Sequence, residues 1–338
     1  MFAVTAIQAE YGDSLLVSYG SADAELRHIL IDGGTEAALG SLLAALDQHR
    51  TKGHLRLEAV VVTHYDLDHI GGIIALLKAP PPWLEIADIW FNGHKHLAQA
   101  DVLGPAEGDE LSKIIEGVYP WNAAFGGRSI KSDRAPLTRE DGLKVWILSP
   151  DQTSLTKLAT KWPASEASTT ETEDRLGAND VWPPGDFSSI ASRPFVKDGS
   201  VANGSSIALM LEFDGKRVLL TGDAHPDVVA NGIALHWPGV RLEVSLLKLS
   251  HHGSKGNTNE RLLKAFDCDQ FLVSTNGEKY KHPDVTALVR ILKVHRKPTF
   301  VFNHAVARTL WWQTVPPGWP KFKSIYPVAG TSHVRVEI

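Results

Sequence analysis

The sequence contains little sulfur, little net charge and no long apolar run, and each absence excludes a class of protein. Cys268 is the single cysteine among 338 residues, so it cannot form a disulfide within the chain. The formal net charge of −5 gives no overall attraction to nucleic acid, so any polyanion site has to be local. No apolar run approaches the roughly 20 residues needed to span a bilayer, so we expect no membrane contact. The first residues lack the basic start and apolar stretch of a secretion signal, which predicts a cytoplasmic protein.

The pattern of apolar segments predicts an α/β protein. Hydrophobic residues make up 43% of the chain, which is enough for a full-sized core. Short strands are predicted at 2–7, 14–19 and 28–31, followed by a helix at 36–48 and a buried strand at 57–62. The second half repeats this order of strands followed by strand and helix units. We therefore expect two similar halves that face each other as a sandwich, with the site at one edge.

A polar segment separates the two halves. After a predicted helix at 111–125 and a strand at 144–148, the composition shifts to Ser, Thr, Glu, Pro and Gly from about 151 to 200. Such a composition is typical of an exposed insertion or lid. We predict a single domain over residues 1–338 with an insertion at about 95–200. The stretch 151–200 could also be a docking surface for a protein partner.

The segment from Thr63 to Gly72 carries the strongest functional signal. It follows a predicted buried strand and places two imidazoles and two carboxylates within six residues, namely His64, Asp66, Asp68 and His69. Loops at the carboxyl ends of strands are where α/β folds place chemistry. Oxygen and nitrogen donors without sulfur suit Zn²⁺, Mn²⁺ or Fe, and not a structural zinc held by thiolates. Asp68 alone could equally cap the following helix, but the spacing and the strand-to-helix context favour a metal site.

Residues of the same type follow strands in the second half. Asp223 ends a predicted strand, and Gly222 allows a close backbone approach, so Asp223 is placed to bridge two metal ions. The alternative is that Asp223 only caps the next helix. A strand at 244–249 runs into His251 and His252. Because metal ligands come from several strand ends, we expect one histidine of this pair to be a ligand and the other to position substrate or support a ligand. Sequence leaves open which is which.

These motifs occur together in one order along the chain: Asp32-Gly33-Gly34, His64 to His69, Asn203 to Ser206, Thr221-Gly222-Asp223, His251 to Ser254 and Lys281-His282-Pro283. The order resembles that of metallo-β-lactamase-fold hydrolases, and specifically the ComEC competence-protein branch. Glu10 to Ser14 also resembles the Gly-Asp element of that branch. Tyr280 to Pro283 resembles its Tyr-Gly-His-Pro, with Lys281 in place of glycine. The resemblance implies a four-layer αβ/βα sandwich that holds two divalent metal ions, Zn²⁺ or Mn²⁺, between its sheets.

The resemblance also implies a role for each site residue. His64 and Asp66 would bind the first metal ion. Asp68 and His69 would bind the second, Asp223 would bridge the two ions, and His251 or His252 would complete the second site. The family usually has histidine at the position of Asp66 and near Asn203, so the oxygen-bearing side chains here imply a weaker first site that prefers Mn²⁺. Residues implied as supports of ligands or contacts of substrate are Asp32, Asn203 and Ser206. Lys255 and Lys281 lie on the same loops and could hold flanking phosphates, or could be ordinary solvated surface residues.

These residues permit hydrolysis by a metal-bound hydroxide. Two divalent ions that share a water molecule lower its pKa toward neutrality, and Asp68 can accept its proton. His282 can stabilise developing charge or protonate the leaving oxygen. Because oxygen-rich dinuclear sites favour phosphoryl substrates, the sequence predicts a phosphodiesterase or nuclease acting on nucleic acid or a nucleotide-like diester. The alternatives are hydrolysis of a phosphocholine ester, lactone or thioester, and a sensor or scaffold in a multi-protein system such as an antiviral one.

Overall fold

Strands and helices follow one another largely in the order that the apolar pattern predicts. The computed structural model describes residues 1–21, 25–97, 106–133, 135–162 and 183–338. The strands are β1 (Phe2–Ile7), β2 (Leu15–Tyr19), β3 (Arg27–Ile31), β4 (Leu55–Val61), β5 (Leu84–Ile86), β6 (Ile89–Trp90), β7 (Leu137–Thr138), β8 (Lys144–Ser149), β9 (Ala208–Phe213), β10 (Lys216–Leu220), β11 (Leu242–Val244), β12 (Leu246–Lys248), β13 (Phe266–Cys268), β14 (Gln270–Val273), β15 (Thr299–Phe302), β16 (Lys323–Ile325) and β17 (His333–Glu337). The helices are α1 (Leu39–Asp47), α2 (Leu67–Lys78), α3 (His94–Leu97), α4 (Ala106–Ile115), α5 (Gln152–Lys161), α6 (Phe187–Ala191), α7 (Val201–Gly204), α8 (Pro226–His236), α9 (Glu260–Leu263), α10 (Val285–Val294) and α11 (Ala307–Leu310).

The described strands form two large mixed sheets. The first has the order β17-β1-β2-β3-β4-β5, and β6 also pairs with β4. Its pairs are antiparallel from β17 to β3 and parallel from β3 onward, with Leu30 opposite Val60. The second has the order β16-β15-β14-β12-β10-β9-β8-β7 and is parallel from β10 to β16, with Val218 opposite Leu246. β11 and β13 form a separate short parallel pair.

Apolar side chains join these sheets and helices into four layers. Between the two sheets lies a buried cluster that includes Val61, Leu209 and Leu246. Helices α1 and α2 cover the outer face of the first sheet through residues such as Leu42 and Ile73. Helices α8 and α10 cover the outer face of the second sheet. Each sheet therefore buries both faces, as the predicted αβ/βα sandwich requires, and burying a leucine or isoleucine in these layers contributes about 1.5–3 kcal/mol.

The middle of the chain departs from the prediction. The helix predicted at 111–125 is α4, which starts earlier and ends at Ile115, because Gly117 adopts a φ of +73° and Pro120 lacks a backbone donor. β7 and β8 lie within the predicted insertion at about 95–200, yet they are strands of the second sheet. Residues 98–105, 134 and 163–182 of that stretch lie outside the described residues. Within the described ranges, no helix combines the length and the apolar character needed to cross a bilayer.

The loops that leave the carboxyl ends of parallel strands meet at one edge of the sandwich. β4 belongs to the first sheet, whereas β10, β12 and β14 belong to the second, and their ends lie on the same side. Backbone hydrogen bonds tie these loops across the two sheets: Ile207 N donates to Thr63 O at 2.9 Å, and Asn276 N donates to Glu10 O at 2.8 Å. This edge carries the predicted site residues.

Candidate metal centre

The loop after β4 presents its carboxylates inward. Asp66 occupies the N-cap position of α2, but its side chain makes no cap hydrogen bond. Instead, its Oδ2 lies 3.3 Å from His64 Nε2. Asp68 lies in the first turn of α2, and its Oδ2 is 3.2 Å from His252 Nε2. Both carboxylates therefore face imidazoles from the site, and helix capping does not account for either of them.

Asp223 lies at the centre of the cluster. Its Oδ2 is 3.3 Å from His69 Nε2, 3.7 Å from His252 Nε2, and 3.9 Å from both His64 Nε2 and His251 Nε2. The backbone N–H of Asp223 donates to Ser206 Oγ at 3.0 Å, which holds the loop in place. Burial would raise the pKa of Asp223, but the surrounding imidazoles, His69 first among them, hold that pKa well below its usual range.

Gly222 makes this position of Asp223 possible. It has a φ of +49°, in the left-handed region. A Cβ at residue 222 would lie 2.4 Å from Ser206 Oγ and 3.0 Å from Thr63 Cβ. Any larger residue would therefore displace Ser206, which is the side chain that holds the Asp223 backbone.

The histidines are oriented by hydrogen bonds from their Nδ1 atoms. His252 Nδ1 donates to the carbonyl of Ser274 at 2.9 Å, and His69 Nδ1 donates to Asp32 Oδ2 at 2.8 Å. His64 Nδ1 lies 3.0 Å from Thr63 Oγ1. With Nδ1 engaged, the Nε2 lone pair points toward the cluster, which is the arrangement found behind metal-bound histidines.

The remaining donor atoms fit metal ions. The Nε2 atoms of His64, His69 and His252, together with Asp223 Oδ1, are buried and lack a hydrogen-bond partner among the residues that the structure describes. Buried polar atoms without partners are costly, and metal coordination would satisfy all of them. The separations of 3.2–3.9 Å between neighbouring donors suit ligands that share one ion. The donor set of imidazoles and carboxylates suits a divalent ion such as Zn²⁺ or Mn²⁺.

His251 and His252 point in different directions although they are adjacent. Both have left-handed backbone angles, with φ of 49° and 54°. The resulting turn brings His252 Nε2 beside Asp68, whereas His251 Nδ1 lies 3.3 Å from Asn203 Nδ2 and 3.2 Å from Asn257 Oδ1. Asn203 in turn donates to Asp198 Oδ2 at 2.8 Å. His251 thus reaches the cluster from the side of Asn203.

The other predicted residues are distributed around this cluster. Asp32 accepts hydrogen bonds from Thr63 and His69, and Ser206 supports Asp223. His282 is buried, with its ring centroid 5.2 Å from that of His251. Burial, followed by the neighbouring His251 and His252, lowers the pKa of His282 well below its usual range, so its imidazole is neutral.

Of the two predicted lysines, Lys281 uses its ammonium at the surface to donate to the carbonyl of Glu278 at 2.7 Å. The backbone N–H of Lys255 donates to Asp284 Oδ2 at 2.8 Å. The contact at Lys281 is local to its own loop. Neither of these two hydrogen bonds reaches a residue of the carboxylate and imidazole cluster.

Two residues that sequence reasoning did not place in the site lie directly behind it. Lys248 is fully buried at the end of β12, and its Nζ pairs with Asp13 Oδ2, donates to Gly222 O at 3.2 Å and lies 3.9 Å from Asp223 Oδ1. Asp13 Oδ1 lies 3.3 Å from His252 Nδ1. One donor atom each from Asp13, His69, Asp223 and His252 can be chosen within 4.8 Å of one another. However, Asp13 faces the Nδ1 side of the imidazoles, so we assign it a supporting position. A lysine inside an apolar strand was the available sequence signal for Lys248.

The fold and this cluster define a metal-dependent hydrolase of the α/β sandwich type. The family model for the metallo-beta-lactamase superfamily matches residues 15–277, and the chain belongs to that superfamily. The predicted family and fold class are thereby confirmed. ComE operon protein 3 of Bacillus subtilis (strain 168) is 27% identical over 119 residues, which are 33% of this chain and 15% of the length of that relative.

Solved structures that align with this chain include the metallo-beta-lactamase fold protein YhfI from Bacillus subtilis. It is 13% identical with a TM-score of 0.43, and the alignment covers 99% of each chain. The Zn(2+)-bound PqqB from Methylobacterium extorquens is 13% identical with a TM-score of 0.44, over 97% of this chain and 88% of that one.

Proposed function

We propose that this protein is a metal-dependent phosphodiesterase that acts on nucleic acid or a nucleotide-like diester. The observation that supports this most directly is the convergence of carboxylates and imidazole Nε2 atoms on Asp223 Oδ2. Oxygen-rich dinuclear sites suit phosphoryl substrates, because paired ions can neutralise the charge of the diester and of its transition state. The site lies at the edge of the sandwich, and the partly exposed side chains of Asp66 and His251 mark the side from which a substrate would approach.

The contacts divide the donors into two sets that share Asp223. Asp68, His69 and His252 lie on one side, with Asp68 Oδ2 3.2 Å from His252 Nε2 and 3.9 Å from His69 Nε2. His64 and Asp66 lie on the other, 3.3 Å apart. We assign His252 to the second metal ion and His251 to the side of the first, where Asn203 replaces the histidine usual in the superfamily.

The formal charges are consistent with two divalent ions. Five carboxylates surround the site, contributed by Asp13, Asp32, Asp66, Asp68 and Asp223. Lys248 is the buried cation among them and offsets one negative charge. Two divalent ions would offset the remaining four.

The protein residues then have distinct tasks. When bound, the ions would supply a water molecule with a pKa near neutrality and Lewis-acid contacts for phosphate oxygens. Asp68, whose Oδ2 lies 3.2 Å from His252 Nε2, can accept a proton from that water. His282 is neutral and buried beside His251, so it can donate a hydrogen bond to the leaving oxygen. A neutral imidazole favours this role over that of the general acid, which the sequence also allowed.

Hydrolysis assays with Asp68→Ala test this proposal. Protein purified without chelator is incubated with Mn²⁺ or Zn²⁺ and, separately, with bis-p-nitrophenyl phosphate, single-stranded DNA, a phosphocholine ester, a lactone and a thioester. We expect metal-dependent hydrolysis of the diesters, and a loss of about 10²–10⁴-fold in kcat for Asp68→Ala, the range for removing a proton acceptor. Asp214→Ala, in the exposed β9–β10 turn, is the control and should retain activity.

Each contrary result has a clear meaning. Undiminished activity of Asp68→Ala would remove Asp68 from the reaction. Faster hydrolysis of the phosphocholine ester, the lactone or the thioester than of any diester would assign the site to that ester class. Bound metal, measured on the same preparations by elemental analysis, should approach two ions per chain, and a metal-free active enzyme would refute the proposal. Absence of turnover with every substrate would favour a sensor or scaffold role.

A further inference from the structure

A second concave site lies next to the metal centre. It is a cavity of about 300 Å³ between α5 and the loop that leads into α7. Its polar lining comes from three separate parts of the chain: Ser154, Lys157, Lys197, Asp198, Ser200 and His225. Two lysines, two hydroxyls and an imidazole offer donors for an anion, and a single carboxylate is present among them.

Contacts of buried side chains connect the wall of this cavity to the metal centre. Asp198 Oδ2 lies 3.8 Å from His225 Nε2 on the cavity side and 3.7 Å from His251 Nδ1 on the metal side. Asn257 connects them further, since its Nδ2 donates to Asp198 Oδ2 at 2.9 Å and to the carbonyl of Asp223 at 3.1 Å. A ligand in the cavity would therefore lie on the opposite side of Asp198 from His251.

The imidazole of His225 lines the cavity. Its Nε2 is buried and has no hydrogen-bond partner within the part of the chain that the structure describes. The ring lies next to Gly204 of α7, where an added Cβ would approach it to 2.8 Å. Lys157 and Lys197 line the same cavity as this imidazole.

Asp198 does not prevent an anion from binding here. Its carboxylate accepts three hydrogen bonds, from Ser200 N at 2.8 Å, Asn203 Nδ2 at 2.8 Å and Asn257 Nδ2 at 2.9 Å. These donors offset its charge, while the ammonium groups of Lys157 and Lys197 lie on exposed residues at the rim. The cavity keeps a net positive character in a protein whose overall charge is −5.

We infer that this cavity binds a second phosphate group of the substrate, adjacent to the diester that is cleaved. The inference rests on the proposed phosphodiesterase function and specifies its substrate as one with neighbouring phosphates, such as an oligonucleotide or a phosphorylated dinucleotide. Lys157 and Lys197 supply the charge, and His225 and the hydroxyl of Ser200 supply directed hydrogen bonds. A diester with one phosphate would use the metal centre alone.

The test compares substrates that differ only in this second phosphate. Dithymidine is supplied without a terminal phosphate, with a 5′-phosphate and with a 3′-phosphate, and bis-p-nitrophenyl phosphate serves as the diester that lacks a second phosphate. For the wild type, we expect a phosphate at one end to raise kcat/KM by about ten-fold or more, mainly through KM, as charge-assisted hydrogen bonds would. Lys157→Ala/Lys197→Ala should lose this preference and hydrolyse bis-p-nitrophenyl phosphate at the wild-type rate.

A double variant of matched charge loss controls for nonspecific electrostatics. Lys321→Ala/Lys323→Ala removes two exposed lysines near β16 and should keep the preference. If wild type and Lys157→Ala/Lys197→Ala show the same preference, or if the wild type shows none, the inference is wrong while the proposed function stands. A loss of preference in both double variants would assign the effect to overall charge and also overturn it.

A binding measurement tests phosphate binding in the cavity separately from hydrolysis of a diester. Thymidine 3′,5′-bisphosphate is titrated into metal-free protein by isothermal calorimetry, so that turnover is not required. Binding by the wild type that weakens about ten-fold in Lys157→Ala/Lys197→Ala would support the cavity even if no diester were hydrolysed. Equal binding by both proteins, or none by the wild type, would refute it.

Discussion

Replacing Lys248 with methionine probes the charge balance behind the candidate metal centre. Lys248 is fully buried, and its ammonium pairs with Asp13 and lies 3.9 Å from Asp223 Oδ1. Methionine keeps most of the side-chain volume but removes the charge. The change therefore leaves the Asp13 carboxylate buried without its cation, 3.3 Å from His252 Nδ1.

The free energy of unfolding that Lys248→Met should lose follows from the burial of both Lys248 and Asp13. Removing one member of a buried ion pair costs about 3–5 kcal/mol of the free energy of unfolding, because the other charge stays buried and uncompensated. The attraction to Asp223 alone is about 4 kcal/mol for charges near 4 Å apart at an effective dielectric constant of 20, which is of the same order. We expect Lys248→Met to be destabilised by about 3–5 kcal/mol at pH 7.

The stability that the Lys248–Asp13 pair contributes depends on pH in a defined direction. Burial would raise the pKa of Asp13, but Lys248 and then His252 outweigh it and lower that pKa to about 2. In the wild type, this stabilisation is complete above the ordinary carboxyl pKa of 3.8 and is lost as the pH falls toward 2. Without Lys248, the largest influence that lowers this pKa is lost, so we expect the pKa of Asp13 to rise. The penalty of the variant then shrinks as the pH falls from 7 toward 4, because Asp13 takes up a proton.

Urea unfolding with a chelator present measures these effects without contributions from metal binding. The set comprises wild type, Lys248→Met, Asp13→Asn and the double variant, at pH 7 and pH 5. The double variant should lose less than the sum of the single losses. Lys144→Met is the control, since Lys144 pairs with Glu212 at 3.1 Å on the surface and should cost no more than about 1 kcal/mol. A Lys248→Met variant within 1 kcal/mol of wild type, or strict additivity, would refute the reasoning.

Two further predictions concern other parts of the molecule. Burial lowers the pKa of His28 to about 4, so folding favours its neutral form. The stability that this neutral form contributes is complete above pH 6.5 and is lost as the pH falls toward 4. The free energy of unfolding should fall by at most about 1.4 kcal/mol per pH unit for this reason. In urea unfolding, the free energy of unfolding of His28→Gln should fall less steeply between pH 6.5 and 5 than that of the wild type. Equal slopes for the two proteins would contradict this. Gly222→Ala should lower metal affinity more than ten-fold, as loss of a group that supports a ligand does, because its Cβ would displace Ser206 from Asp223. Gly215→Ala, whose φ is +73° with no atom near the added Cβ, should show only the backbone cost of about 1–2 kcal/mol and unchanged metal affinity, and equal behaviour of both variants would argue against the proposed clash.

Much of the fold was predictable because the local patterns are strong. β1 has the predicted bounds, and the Asp-Gly turn of the β9–β10 hairpin joins two strands as its sequence indicates. The helix predicted at 111–125 was wrong beyond Ile115, because apolar periodicity continues there while the left-handed backbone of Gly117 ends the helix. Periodicity reports which residues are buried, but it does not report backbone angles.

The amino-acid sequence was enough to identify the chemical groups that are available and to predict that they follow strands. His64 to His69, Asp223 and the pair His251-His252 all leave carboxyl ends of strands, and in parallel sheets such ends share one edge. The pairing of Lys248 with Asp13, 235 residues away, and the approach of His252 instead of His251 to Asp68 were apparent only once the fold was known. The physical reason is that these contacts depend on how two sheets pack and on the left-handed turn at 251–252. Neither quantity is encoded in the spacing of residues along the chain.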